Sequence, residues 1–162
     1  MALKLPKIGD KAPTFRLKNQ DGKEVDLSKF REKNNVVLYF YPKAMTPGCT
    51  TQACSVRDYK KEFEKLGIVV LGVSADSQKL IKKFQETYEL NFDLLSDEGH
   101  KVAEEYGVWG EKSVMGRLVQ GLNRVTFIIA KDGTIAHVIP KVNAQTHHED
   151  VLKFFAQSKP SS

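Results

Sequence analysis

The chain has no long hydrophobic run, only two cysteines, one tryptophan and no extended block of either charge. Each shortage excludes something. The longest apolar stretches, VVLYFY (36–41) and IVVLGV (68–73), fall far short of the roughly 20 residues that cross a bilayer as a helix. The opening MALKLPKIGD holds neither a sustained apolar core nor a small-residue cleavage site, so no secretory leader is expected and the cytoplasm is the default compartment. Two thiols in a reducing compartment argue against a permanent structural disulfide. They leave metal ligation, inert burial or redox chemistry. The four histidines lack finger spacing and no second cysteine pair exists, so a structural zinc is not expected. His147 and His148 should sit in the first turn of the last helix, pointing different ways. Net charge is +5, but the lysines alternate with acids, as in KKEFEK (60–65). Without basic clusters interleaved with aromatics, nucleic acid is not an expected partner.

What is present suits one globular domain over residues 1–162, with 157–162 as a flexible tail. FRLK (15–18) and KEVDL (23–27) flank an Asp21-Gly22 turn and predict a hairpin. VVLYFY and IVVLGVS (68–74) are continuously apolar, as strands buried on both faces should be. Between them Val56, Tyr59, Phe63 and Leu66 recur at helical spacing, and Gly67 ends the run. Strand, helix, strand predicts a parallel βαβ unit. Ser77 can cap a helix carrying Leu80, Ile81, Phe84 and Tyr88; FDLL (92–95) and 101–106 follow as a short strand and a short helix. RVTFIIA (124–130) and TIAHVI (134–139) flank Asp132-Gly133, a second hairpin, and a capping box from Thr146 to Glu149 opens the last helix. The sum is an α/β thioredoxin-like fold: a central mixed sheet with helices on both faces and an N-terminal hairpin. Residues 107–123, GVWGEKSVMGRLVQGLN, show no clear period and read as a long loop. A loop of that length is usually functional or mobile, here packed over the site or docking a partner.

Both cysteines lie in PKAMTPGCTTQAC (42–54). Cys49 follows a buried strand, where open α/β sheets place their sites, and sits near the start of the next helix. Unpaired N–H groups and the positive dipole end meet there, and both favour an anion such as a thiolate. Pro47 stiffens the approach and Gly48 lets the backbone come close to whatever binds. The bland alternative is a small buried hydrophobe. In an ideal helix a five-residue step separates Cα atoms by roughly 8.7 Å. A disulfide wants about 7 Å or less, so Cys49 and Cys54 can bond only if a turn unwinds. Thr46, three residues before Cys49, can bring its hydroxyl to the same pocket, and Arg57, Arg117 and Arg124 are candidate cations. Arg124, at the start of a strand beside VVLYFY, has the most fixed position of the three.

FYPKAMTPGCTTQAC (40–54) resembles the active-site segment of the peroxiredoxins, Pro-x-x-x-Thr/Ser-x-x-Cys, filled here by Pro42, Thr46 and Cys49. Cys54, five positions on, looks like the resolving cysteine of the bacterioferritin comigratory protein or peroxiredoxin Q branch. YGVWGEKSVMG (106–116), NRVTFII (123–129) and the His pair before VL near the C-terminus add to the likeness, which spans nearly the whole chain. Ala130 departs from it, standing where the family often has an acid. The resemblance implies a thiol peroxidase that needs no metal, flavin or haem. Cys49 would be peroxidatic and Cys54 resolving. Thr46 and Arg124 would complete the peroxide pocket, shielded by Pro42 and flanked by Pro47 and Gly48. It implies a hydroperoxide substrate, thioredoxin or a similar dithiol as reductant, and a monomer. A thiol-disulfide exchanger or a redox sensor on the same fold, or a structural protein with inert thiols, are the alternatives.

Overall fold

The computed structural model describes residues 4–157. Most of the expected tail, 158–162, and the first three residues lie outside that range. The centre is the expected βαβ unit. Strands β3 (Asn35–Phe40) and β4 (Ile68–Ser74) run parallel, from Asn35 opposite Ile68 to Phe40 opposite Val73. Helices α1 (Pro47–Asp58) and α2 (Lys60–Lys65) connect them. Helix α3 (Gln78–Thr87) leads to β5 (Asp93–Ser96), parallel to β4. On the other side of β3 lie β8 (Val125–Ile129) and β9 (Ile135–Ile139), antiparallel to their neighbours. The N-terminal hairpin, β1 (Arg16–Asn19) and β2 (Glu24–Asp26), joins through β5, giving the order β2-β1-β5-β4-β3-β8-β9.

Strand β3 is apolar throughout because both its faces are covered. Val36, Leu38 and Phe40 pack with Leu71, Phe127 and Tyr106 on one face. Val37 and Tyr39 pack with Val70, Ile128, Phe63 and Cys49 on the other. Helices α1, α2, α3 and α5 (His147–Gln157) cover that second face; α4 (Lys101–Glu105) covers the first. Gly72 is required inside β4 because the ring of Tyr39, its register partner, lies over it. A Cβ there would sit 2.9 Å from Tyr39 Cζ.

Local signals decide the boundaries. Ser77 Oγ accepts the Leu80 N–H at 3.2 Å, the expected cap of α3. Gly67 takes φ +71 just past α2, as a helix stop does. The helix expected to run unbroken to Leu66 is instead interrupted at Tyr59 (φ −106, ψ 16). The break turns Tyr59 and Leu66, both expected in the core, outward. Tyr59 stacks on His148 with ring centres 4.3 Å apart. At the start of α5 the Thr146 hydroxyl donates to Asp150, four residues on, while Glu149, the expected partner, lies 3.8 Å from His148.

Segment 107–123 is not a loop. It forms a separate antiparallel hairpin, β6 (Trp109–Val114) with β7 (Arg117–Leu122). Met115 and Gly116 take φ +52 and +80 at its tip, both positive as a two-residue type I′ turn requires. Trp109 anchors the hairpin by stacking on His100, ring centres 3.7 Å apart.

Candidate active site

The site is built where β3 leaves the sheet. The Tyr41 N–H still donates to Val73 O at 3.0 Å. Pro42, half-buried, then opens a tight turn. Asp76, just beyond β4, holds that turn: its Oδ2 accepts the Ala44 N–H at 2.7 Å. Met45 adopts φ +70, and Thr46 follows in extended conformation as the N-cap of α1. Pro47 occupies the first helical position, where its missing N–H costs no helical bond. Cys49 is therefore the third residue of α1, in the turn whose N–H groups lack carbonyl partners inside the helix.

Cys49 is buried, 1% exposed, and reduced. Arg124, immediately before β8, donates from Nη2 to Cys49 Sγ at 3.3 Å. Its Nη1 donates to Gln52 Oε1 at 2.5 Å. Gln52, one turn after Cys49, is fully buried. Its Nε2 lies 3.2 Å from His147 Nδ1, and His147 Nε2 lies 2.8 Å from Thr126 Oγ1. A continuous polar chain thus runs from the sulfur through Arg124, Gln52 and His147 to the sheet. Burial, seconded by His148 and Arg124, pulls His147 from 6.5 down to about 3. The ring is neutral at physiological pH.

Of the three candidate cations, Arg124 alone is brought to the sulfur of Cys49. Arg57 is bonded to Asp58 and to the Tyr88 carbonyl, and Arg117 is exposed on β7. Gly48 permits a close approach, and the group that approaches is Arg124: a Cβ would stand 3.1 Å from Nη2. The Thr46 hydroxyl donates to the Lys43 carbonyl at 2.7 Å, leaving its lone pairs free to accept. Pro47 is exposed at the mouth of the helix. Cys54 is half-buried on the same unbroken helix, so an ideal-helix separation of roughly 8.7 Å applies to the two Cα atoms.

Gln52, Asp76 and Lys112 escape sequence reasoning, as does the place of His147, which the sequence puts only at the start of the last helix. Gln52 shares a helix face with Cys49 at i, i+3, a signal that could have found it. His147 and Asp76 arrive from distant segments. Lys112 comes from the hairpin: its Nζ donates to Leu122 O at 2.9 Å. Burial, and secondarily Arg124, push its ammonium below the usual value, while Cys49 opposes the shift. The other histidines are spent on ring contacts, His100 on Trp109, His137 on Phe154 and His148 on Tyr59. Among the described residues, no group of three or more His, Cys, Asp or Glu is arranged to hold a metal ion.

Comparisons with known proteins converge. The AhpC/TSA family profile matches residues 8–138. A protein of Haemophilus influenzae named putative peroxiredoxin bcp is 52% identical over 147 residues, 91% of this chain and 94% of its own. The crystal structure of peroxidoxin BcpB from Mycobacterium tuberculosis superposes with a TM-score of 0.85 at 35% identity, covering 96% of this chain and 99% of that one. A Xanthomonas campestris bacterioferritin comigratory protein, whose structural report concerns alkyl peroxide reduction, gives a TM-score of 0.85 at 30% identity over 93% and 98% of the two chains.

Proposed function

The chain belongs to the AhpC/TSA family, as a peroxiredoxin of the Bcp type, and we propose that Cys49 is its peroxidatic nucleophile and Cys54 its resolving thiol. The observation that carries the assignment is the buried Cys49 sulfur, in the first turn of α1, 3.3 Å from a guanidinium. The Cys49 thiolate attacks one oxygen of a hydroperoxide. An S–O bond forms, the O–O bond breaks, and the departing oxygen takes a proton to leave as water or an alcohol. Negative charge spreads along the S–O–O line during the attack. Arg124, 3.3 Å from the sulfur, and the first-turn N–H groups of α1 would stabilise that charge, and the Thr46 hydroxyl can orient the peroxide oxygens.

The product is a Cys49 sulfenic acid. Cys54 then attacks its sulfur; the S–S bond forms and water departs. Because α1 spans both residues, its first turns unwind for this step. A thiol reductant closes the cycle, and we assign that role to thioredoxin or a similar dithiol. Both cysteines lie on one helix, so a monomer is sufficient for the chemistry. Hydrogen peroxide and organic hydroperoxides are the proposed substrates, with the cytoplasm as the setting. Among the described residues no helix is long and apolar enough to cross a membrane.

Steady-state peroxide consumption with a thioredoxin system tests the assignment. Cys49→Ser should abolish it. Turnover by that variant would remove Cys49 from the role.

A further inference from the structure

The peroxide chemistry accounts for Cys49, Arg124 and Cys54, but not for the buried chain behind them. Gln52, His147 and Thr126 are each 1% exposed or less, so each polar atom must find its partner inside the protein. Donor and acceptor rules leave one arrangement. A guanidinium only donates, so the Gln52 group facing Arg124 Nη1 is the carbonyl oxygen. The amide nitrogen, also a donor, then faces His147 Nδ1 at 3.2 Å, and that ring nitrogen must accept. The ring proton therefore sits on Nε2, which donates to Thr126 Oγ1 at 2.8 Å. Were Nδ1 protonated, two N–H groups would oppose each other. The relief, rotation of the Gln52 amide, would turn its NH2 toward Arg124.

We propose that His147 is a positioning residue for the peroxide reaction, its Nε2-protonated neutral ring fixing the Gln52 amide and, through it, Arg124 against the Cys49 sulfur. The proposal rests on the reading of Cys49 and Arg124 given above. Everything packed around the ring agrees with a neutral state. Arg124 ahead of β8 and His148 on α5 both disfavour a second positive charge. Tyr39 of β3 covers one side, ring centres 5.3 Å apart. Helix α5 lies 95 residues from Gln52 in sequence, and this contact gives it a part in a site formed on α1. His148, its neighbour, stacks on Tyr59 instead and takes no part in the chain.

The tautomer can be read directly on the reduced wild-type protein by 15N NMR at pH 7. Nδ1 should report as unprotonated and Nε2 as protonated; the opposite tautomer or an imidazolium overturns the proposal. Peroxide attack on the reduced protein, followed by stopped flow, gives the functional arm. His147→Leu removes the acceptor and should slow attack about tenfold, the scale of one lost hydrogen bond expressed in the transition state. His147→Asn returns an acceptor oxygen near the Nδ1 position and should stay within about threefold of wild type. Equal losses in both variants, or no loss in the Leu variant, would overturn it. Thermal melts establish that the variants fold, and if the Leu variant does not, the tautomer and the Asn variant decide. Arg124→Ala measured alongside separates the two levels. An unchanged rate there would overturn the assignment of Arg124 and with it the route given to His147, whereas a slowed Arg124→Ala beside an unchanged His147→Leu would overturn the part of His147 alone.

Discussion

Replacing Arg124 by alanine removes two interactions at once. Its Nη2 faces the Cys49 sulfur at 3.3 Å and its Nη1 holds Gln52 Oε1. A hydrogen bond to a charged group contributes about 1.5–3 kcal/mol, and donors aimed at developing charge in a buried site contribute roughly 3–4 kcal/mol to the barrier. Arg124 is half-buried, so water screens part of this and the lower range applies. At 1.36 kcal/mol per tenfold, the expected loss in the second-order rate of peroxide attack is about 10²-fold. The variant also leaves a fully buried Gln52 oxygen unpaired, costing about 1–3 kcal/mol of stability. Arg124→Lys should fall between, about tenfold slower, because one ammonium cannot hold both sulfur and amide in the geometry of a planar fork. The assay is stopped-flow thiol loss in the reduced protein at fixed pH, with a thermal melt as control. A folded Arg124→Ala protein reacting within threefold of wild type would refute the reasoning.

Other consequences can be checked separately. Cys54→Ser should react once with peroxide, yield a dimedone-trappable sulfenic acid on Cys49, and not be recycled by thioredoxin; normal cycling would point to a different resolving thiol. Gly72→Ala should destabilise by about 1–3 kcal/mol, since its Cβ meets the buried Tyr39 ring at 2.9 Å; a denaturation midpoint unchanged from wild type would contradict that packing. Stability should also respond to acid through His147. Its folded value of about 3 lies below the unfolded 6.5, so below pH 6.5 the unfolded chain binds a proton that the folded chain refuses. This contribution is complete above pH 6.5 and is lost at up to about 1.4 kcal/mol per pH unit as the pH falls toward 3. Urea melts of wild type and His147→Asn across that window should diverge in slope, and parallel curves would show that His147 does not titrate as described.

The pattern of what could be read in the sequence is physical. Strands β3 and β4 were legible because burial on both faces demands an unbroken apolar run. The Asp21-Gly22 turn was legible because its residues suit a hairpin's backbone, and Ser77 because caps have few chemical solutions. Cys49 could be placed at a helix start, and Arg124 beside it, because strand order fixes which strand end meets which helix. The β6–β7 hairpin was hidden for the opposite reason. Glu111, Ser113, Leu118 and Val119 are all exposed, so burial imposes no alternation, and its Met115-Gly116 tip has Met where a type I′ turn usually places Asn, Asp or Gly. Gln52 and His147 were hidden because a polar residue in the core looks, one residue at a time, like a polar residue at the surface. Only the three-dimensional meeting of α1, α5 and β8 reveals that each satisfies the other. The break at Tyr59 was equally illegible, because no Gly or Pro marks it and the ring Tyr59 stacks on, that of His148, comes from a distant segment.

The central claim is that a sulfur buried in the first turn of α1 reacts with peroxide and then crosses to a partner that the intact helix keeps out of reach. Mixing the fully reduced protein with one equivalent of hydrogen peroxide, timing the loss of both thiols and mapping the product by mass spectrometry tests it most directly. The account predicts loss far faster than for a free thiol, ending in a single Cys49–Cys54 disulfide within one chain. Loss no faster than a free thiol, or a product without that bond, would contradict it.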